Sequence, residues 1–544
     1  MHDHNHRRTT LPFPRRPPHP RPLPSTTAGS RYAKKVIIRA RLQRRAWTPH
    51  TDLPYVQHHN THITEAKTNA AHFPGLLPVG LIQEAMPAQL LVPPQPSSRR
   101  RPRPGWRQQP TTTAALLLVL TSAAHAYTLP SSRPTTPKPS SPHFSSGPTK
   151  KRFGYSLGNL PTSTLGRSHR SPECLARIRL ALDLTRDILG IPADHRVVLL
   201  PGGGDTGAYE AALWSLVGAK GVPVEALVWD AFGSSWHDDL VNQLRVEDVR
   251  LVKAPHGELP DLSKVNAQEH DVCFVWNGTT SGVCLPDDGA PWIPASGPGR
   301  GRGLTVCDAT SACFCMRLPW DKLDVTTFSW QKALGGEGGH GMMVLSPRAL
   351  ARLEENAESG LLASRQIPKL LRLAGDVKTG KVLEGLWEGS TINTPSMLCV
   401  EDYIDALGWV QKEGGVEGMI ARSKANLGVV EEFVEGRPWL SFLAKDSRTR
   451  SSTSVCLEVG GLGGGGGGEG GRKGGSSSDK AKAAAQLKGM VRLLEEEGVA
   501  FDIASYRDAP PGLRVWGGPT VEREDVERLM PWIEWAYEDV KATI

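Results

Sequence analysis

The chain has 544 residues, 39% of them hydrophobic and 22% charged, more than one domain usually needs and enough apolar material to fill a core over part of the length. Its net charge of +8 is unevenly laid down: residues 1–152 hold 23 Lys and Arg against 4 Asp and Glu, a net of +19, which leaves −11 on the remainder. The basic balance therefore belongs to a leader, and the composition argues against a catalytic body that binds nucleic acid.

The leader, residues 1–140, is rich in Pro, Arg, Thr and Ser and reads as a disordered or targeting segment. A signal-like stretch at 99–126 sets Arg99-Arg100-Arg101-Pro102-Arg103 before the apolar Ala114-Ala115-Leu116-Leu117-Leu118-Val119-Leu120 and an Ala124-His125-Ala126 site followed by Tyr127. The apolar run is too short to span a bilayer, so no stable membrane insertion of the mature protein is expected. Residues 127–140 continue as a transit-like segment without acidic residues. The pair resembles the bipartite leaders of algae with complex plastids, which implies delivery to the plastid (chloroplast), with mitochondrion or cytosol as alternatives. A signal peptide belongs near an N-terminus, so translation is expected to begin near Met86; the competing reading is a disordered extension with a chance apolar patch.

A large domain is expected over 141–437. Strand-like runs at 197–200, 226–229, 249–252, 272–276, 304–307, 325–328 and 342–345 alternate with helical or loop stretches. That is the α/β pattern of a mainly parallel seven-stranded sheet wrapped by helices, with a site at the carboxyl ends of the strands. After the first run, Pro201-Gly202-Gly203-Gly204-Asp205-Thr206-Gly207 opens a helix, an arrangement that offers backbone N–H groups to an anion. A tight turn or a nucleotide-phosphate site reads equally well, although no Lys-Ser/Thr pair of the Walker type follows. Trp236 can stack on a planar heterocycle or serve as core. Asp308 ends the 304–307 run, where a carboxylate can hold the proton of a pyridine nitrogen or cap a turn. Lys332 follows the 325–328 run and enters Gly335-Gly336-Glu337-Gly338-Gly339. Desolvation there lowers an amine's pKa and leaves it nucleophilic enough for Schiff-base chemistry, so pyridoxal phosphate is the cofactor to test; the bland reading is a surface lysine beside a flexible loop.

From 438 to 544 a smaller α+β domain is expected, with a strand at 453–459, a glycine-rich insertion at 460–478, and helices at 480–497 and 522–536. The eight cysteines show no paired C-x-x-C spacing, so no metal site is expected and buried free thiols are the default. The insertion holds no cysteine, which speaks against a desulfurase.

From about Ser141 onward the chain resembles phosphoserine aminotransferases, class V members of the fold-type I pyridoxal-phosphate enzymes, in their divergent bacterial and archaeal branch. The likeness rests on His143-Phe144-Ser145-Ser146-Gly147-Pro148, Gly166-Arg167-Ser168-His169-Arg170-Ser171, Trp276-Asn277-Gly278-Thr279-Thr280, the Asp308 and Lys332 segments, Glu388-Gly389-Ser390-Thr391-Ile392-Asn393-Thr394-Pro395, and Tyr506-Arg507-Asp508-Ala509-Pro510-Pro511-Gly512-Leu513-Arg514, in family order. One departure is Gly202-Gly203-Gly204, where the branch usually carries Pro-Ala-Ser.

The resemblance implies that Lys332 binds the cofactor covalently and shuttles a proton, Asp308 pairs with the ring nitrogen, Trp236 stacks on the ring and Thr279 meets the ring hydroxyl. Gln331, Asp205 and Thr206 would touch the cofactor phosphate, the last two partly through their backbones, and Asn393 and Thr394 would reach a phosphate in the neighbouring subunit of a homodimer. Arg514 would take the substrate α-carboxylate and His169, Arg170 and Arg507 the distal anion, since guanidinium groups suit both by forked hydrogen bonds. The implied reaction moves an amino group between L-glutamate and 3-phosphohydroxypyruvate, giving O-phospho-L-serine and 2-oxoglutarate. The alternatives are a serine or alanine to glyoxylate type of class V aminotransferase acting on an unphosphorylated keto acid, and a nucleic-acid binder on a dead scaffold.

Overall fold

The computed structural model describes residues 132–542 apart from 298, 377, 382 and 464–476. The signal-like stretch, the start near Met86, residues 127–131 and most of the glycine insertion lie outside the described residues.

Seven strands form the main sheet: β1 Arg196–Leu200, β2 Val224–Val228, β3 Val249–Lys253, β4 Asp271–Val275, β5 Thr305–Asp308, β6 Val325–Ser329 and β7 Gly341–Leu345. Their order is β1-β7-β6-β5-β4-β2-β3. Only β7 runs against the rest, pairing antiparallel with both β1 and β6, while the other pairs are parallel. Each expected strand is present to within a few residues. Strands β2, β4, β6 and β7 are buried along their whole length, so they read as mainly apolar, with buried Glu225 in β2 and Thr326 and Thr327 in β6 as the internal interruptions. Edge strand β3 is half open to solvent.

The helices begin where side chains satisfy their first N–H groups. Helix α1, Pro172–Leu189, starts at Ser171, whose hydroxyl accepts from Cys174 N, with proline at the first turn and left-handed Gly190 at its end. Helices α2, Gly204–Leu216, and α3, Ala231–Asp238, each follow directly on a strand of the sheet. Helix α4, Pro347–Glu358, covers the sheet through buried Arg352, whose guanidinium meets the buried carboxylate of Asp271 at 3.0 Å. Helices α5, Met397–Lys412, and α6, Gly415–Val434, lead to the second domain.

That domain is a three-stranded antiparallel sheet of β8 Leu440–Phe442, β9 Ser454–Val459 and β10 Leu513–Trp516, backed by α7 Ser477–Glu496 and α8 Arg523–Ala542. Its core includes Val430, Leu494, Trp516 and Ile533, and also Phe144 from the far end of the chain. Phe144 belongs to a strap. Upstream, Lys138 and Arg133 reach Glu497, Ser140 N and Oγ donate to Asp525 at 2.6 and 2.7 Å, and Trp532 Nε1 donates to the Thr136 carbonyl at 3.2 Å. A boundary at 141 therefore cuts through a folded element: residues 133–140, read as transit-like, are stitched to the small domain by polar contacts that no apolar periodicity announces. Among the described residues no helix is long and apolar enough to cross a membrane.

Candidate active site

Lys332 lies three residues beyond β6. Between them Trp330 is clamped flat between His340 and Tyr403, with ring centroids 4.7 and 4.4 Å away, so the strand exit is rigid. The lysine is 5% exposed, and its amine donates to the Ser146 carbonyl and lies 5.6 Å from the Trp516 ring. Thr149 Oγ1 donates to the Lys332 carbonyl at 2.6 Å, so the strap holds both backbone and side chain of this residue. Burial, and then the charge of Arg514, lowers the amine's pKa to about 7 against the pull of Asp308, Asp230 and Asp205. The bland surface reading is excluded.

The glycines around it are packed. Gly204 has φ +59°, and a Cβ there would strike the Gly338 carbonyl oxygen, while a Cβ on Gly338 would strike Gln331 Oε1. The loop after Lys332 and the turn after β1 thus press backbone on backbone. Gly203, with φ +77°, is the N-cap of α2, so the Gly202-Gly203-Gly204 departure serves two consecutive left-handed residues. The N–H groups of Asp205 and Thr206, at the start of α2, find no acceptor among the described residues.

Asp308 ends β5. Trp236 Nε1 donates to its Oδ2 at 3.2 Å and Thr310 N to its Oδ1 at 3.0 Å. Trp236 already has Tyr209 stacked on its ring at 4.5 Å, and its indole N–H serves Asp308. Thr279 Oγ1 is paired with Ser311 Oγ. The Asp205 side chain turns toward Asp308, and burial together with that neighbouring charge pushes its carboxyl well above the ordinary range. Its backbone alone is left for an anion. Asp205, Thr206, Trp236, Thr279, Gln331 and Asp308 all line one cavity with Lys332.

Arg514, on β10, comes near enough to act on Lys332; its Nε is buried without a partner, and burial lowers its pKa. Arg507 is exposed, paired with adjacent Asp508 at 3.2 Å. His169 is 4% exposed with Nε2 unpartnered, Arg170 is exposed, and neither lines the Lys332 cavity. Asn393 Nδ2 donates to the Pro201 carbonyl of its own chain at 2.9 Å, behind the glycine turn, while its Oδ1 is buried without a partner; Thr394 is exposed.

Sequence reasoning missed Asp230, Asn277, Thr310 and Ser311, which also line the cavity. Asp230 caps α3 by accepting from Gly233 N at 2.8 Å, and burial raises its pKa to about 6. Asn277 Oδ1 is buried without a partner. Each of these residues stands just beyond the carboxyl end of a strand, a signal that could have found them. The donor set suits one kind of guest: two free helix-start amides for a phosphate, a fixed carboxylate for a ring nitrogen, and a primary amine of lowered pKa for an aldehyde, so the residues fit pyridoxal phosphate.

No family profile matches the chain. It is 48% identical over 403 residues to a protein of Methanosarcina mazei named phosphoserine aminotransferase, covering 74% of this chain and 98% of that protein. In fold it is similar to the crystal structure of a phosphoserine aminotransferase from Cytophaga hutchinsonii, with TM-score 0.56 and 20% identity over 72% of this chain and 97% of that one. It is similar also to pyridoxamine-pyruvate aminotransferase of Mesorhizobium loti, with TM-score 0.56 and 19% identity over 75% of this chain and 94% of that one.

Proposed function

The chain belongs to the phosphoserine aminotransferase family, and we propose that the Lys332 cavity is where its amino-group transfer takes place. The reaction joins L-glutamate and 3-phosphohydroxypyruvate to O-phospho-L-serine and 2-oxoglutarate in L-serine biosynthesis, with pyridoxal phosphate as cofactor. Bound in the cavity, that cofactor supplies an electron sink for the substrate α carbon. The amides of Asp205 and Thr206, with Gln331, would hold its phosphate, Asp308 its ring nitrogen, Thr279 its ring hydroxyl, Trp236 its ring and Lys332 its aldehyde carbon.

The chain's own residues do the rest. An amine with a pKa of about 7 is about half neutral near pH 7, so a large share of Lys332 can take the proton from the substrate α carbon and return it without a prior deprotonation. Trp236 and Thr310 keep Asp308 oriented. Arg514, half-buried and without an acid partner among the described residues, is left to grip the α-carboxylate. Arg507, with His169 and Arg170, takes the distal anion. The observation that carries this reading is the buried Lys332 amine sharing a cavity with Asp308. Borohydride treatment of the holoenzyme followed by peptide mass analysis should find the cofactor fixed on Lys332; label on any other lysine overturns it. Arg507→Ala should cost phosphoserine more than about tenfold in kcat/KM and an uncharged amino acid far less. Equal losses would favour an unphosphorylated substrate.

We further infer a homodimer with shared sites. His169, Arg170 and Thr394 lie off the Lys332 cavity of their own chain, and Phe153 and Leu157 present bare apolar side chains, 80% and 59% exposed. Inactive Lys332→Ala and Arg170→Ala proteins, mixed and allowed to exchange, should recover activity in part; none, with monomers in sedimentation, refutes it. The leader is proposed to deliver the enzyme to a plastid. Import of a leader fusion into isolated plastids tests this, and any trimming should stop short of Arg133, where the strap begins.

A further inference from the structure

We propose that Tyr506 is a positioning residue whose ring holds Arg507 and Arg514 together as an anion clamp at the Lys332 cavity, an inference that rests on assigning those arginines to the substrate's two anions. Tyr506 and Leu513 frame a tight excursion of the small domain: Ala504 bridges Leu513, Ser505 N donates to the Gly512 carbonyl at 3.1 Å and Arg514 N to the Ile503 carbonyl at 2.7 Å. Arg507 follows Tyr506 in sequence, and the closure brings Arg514 to the same side chain. The guanidinium carbons of Arg507 and Arg514 each lie 5.6 Å from the Tyr506 ring centroid, inside the range of cation–π attraction. The ring is itself braced by Phe232, 5.8 Å away and tilted 39°, a residue of α3 that lines the cavity with Lys332.

Chemistry explains why a ring stands there. A carboxylate would hold the same arginines more tightly, but it would occupy their N–H donors and cancel the charge that a dicarboxylate or phosphorylated substrate must meet. An aromatic face attracts a cation through its quadrupole and leaves the in-plane donors free. Arg514 fits that description: its Nε is buried and unpartnered, and it forms no ion pair among the described residues. Arg507 has its immediate neighbour Asp508 as its acidic partner, with both side chains exposed, so solvent weakens that pair. The Tyr506 hydroxyl has no hydrogen-bond partner among the described residues, so the ring and not the phenol carries the role.

Steady-state kinetics of the holoenzyme test this with Tyr506→Leu, Tyr506→Met, Tyr506→Phe and Arg514→Ala. Both non-aromatic variants should raise KM for phosphoserine and for glutamate about tenfold, two weakened cation–π contacts, while kcat moves less than about twofold. Tyr506→Phe should restore KM. Unchanged KM in Leu and Met variants, a fall in kcat at constant KM, or a Phe variant as damaged as the Leu variant overturns the proposal. If Arg514→Ala leaves KM unchanged, the assignment of the arginines is what fails; if it raises KM and the Tyr506 variants do not, only the clamp fails. Should Leu at this position not fold, the Met variant, closer in length, keeps the comparison.

Discussion

Burying Lys332 has a cost that can be measured. Its pKa falls from 10.5 to about 7 on folding, so between those values the unfolded chain carries a proton there that the native chain does not. Stability then rises with pH across that window. Below pH 7 both states are protonated and the penalty is whole, about 5 kcal/mol for a shift of this size at about 1.36 kcal/mol per pH unit. Integrating from pH 7 to pH 9 returns about 2 kcal/mol. Lys332→Met removes the titrating group and keeps the apolar stem, so cofactor-free Lys332→Met should exceed the cofactor-free parent in stability at pH 7, and its advantage should shrink by about 2 kcal/mol at pH 9. Urea unfolding of both proteins at the two pH values measures this, and other titrating groups cancel in the difference. An advantage that stays flat from pH 7 to pH 9 would refute the depressed pKa and with it the ready proton acceptor.

Asp308→Asn offers one oxygen where Trp236 Nε1 and Thr310 N each meet their own, so it should cost about 1–3 kcal/mol of stability, and it removes the charge that holds a protonated ring nitrogen; turnover should drop by more than about a hundredfold with a shifted visible absorption band. Asp205→Asn should cost little in stability, because burial and the neighbouring Asp308 push the Asp205 carboxyl well above the usual carboxylate range and so disfavour its charged form, whereas Asp205→Leu should cost about 1–3 kcal/mol in thermal or urea unfolding by stranding its polar neighbours. Gly204→Ala should weaken cofactor binding and destabilise by about 1–3 kcal/mol, since φ +59° and the Gly338 carbonyl both oppose a Cβ; a fluorescence titration with pyridoxal phosphate checks it. Removing residues through 140 should lower the melting temperature, because Asp525 is left buried without its Ser140 donors.

Six of the seven strands of the main sheet were legible because burial on two sides writes a mainly apolar run that a one-dimensional reading can see, while edge strand β3, half open to solvent, showed only through Val249, Leu251 and Val252. The chemistry at the strand ends was legible for the same reason: Asp308 and Lys332 are polar residues placed where such runs stop. What pairs them was not. Trp236 gives its N–H to Asp308 across 72 positions of sequence, Ser146 reaches Lys332 across 186, and Asp525 ties down Ser140 across 385. No local periodicity encodes contacts at such separations, since they depend on how the sheet, the helices and the strap close on one another. The Asp205 side chain shows the limit most plainly. Its position at a helix start was written in the glycine turn, but whether its carboxyl faced an anion or lay buried against Asp308 depended on a neighbour that only folding supplied.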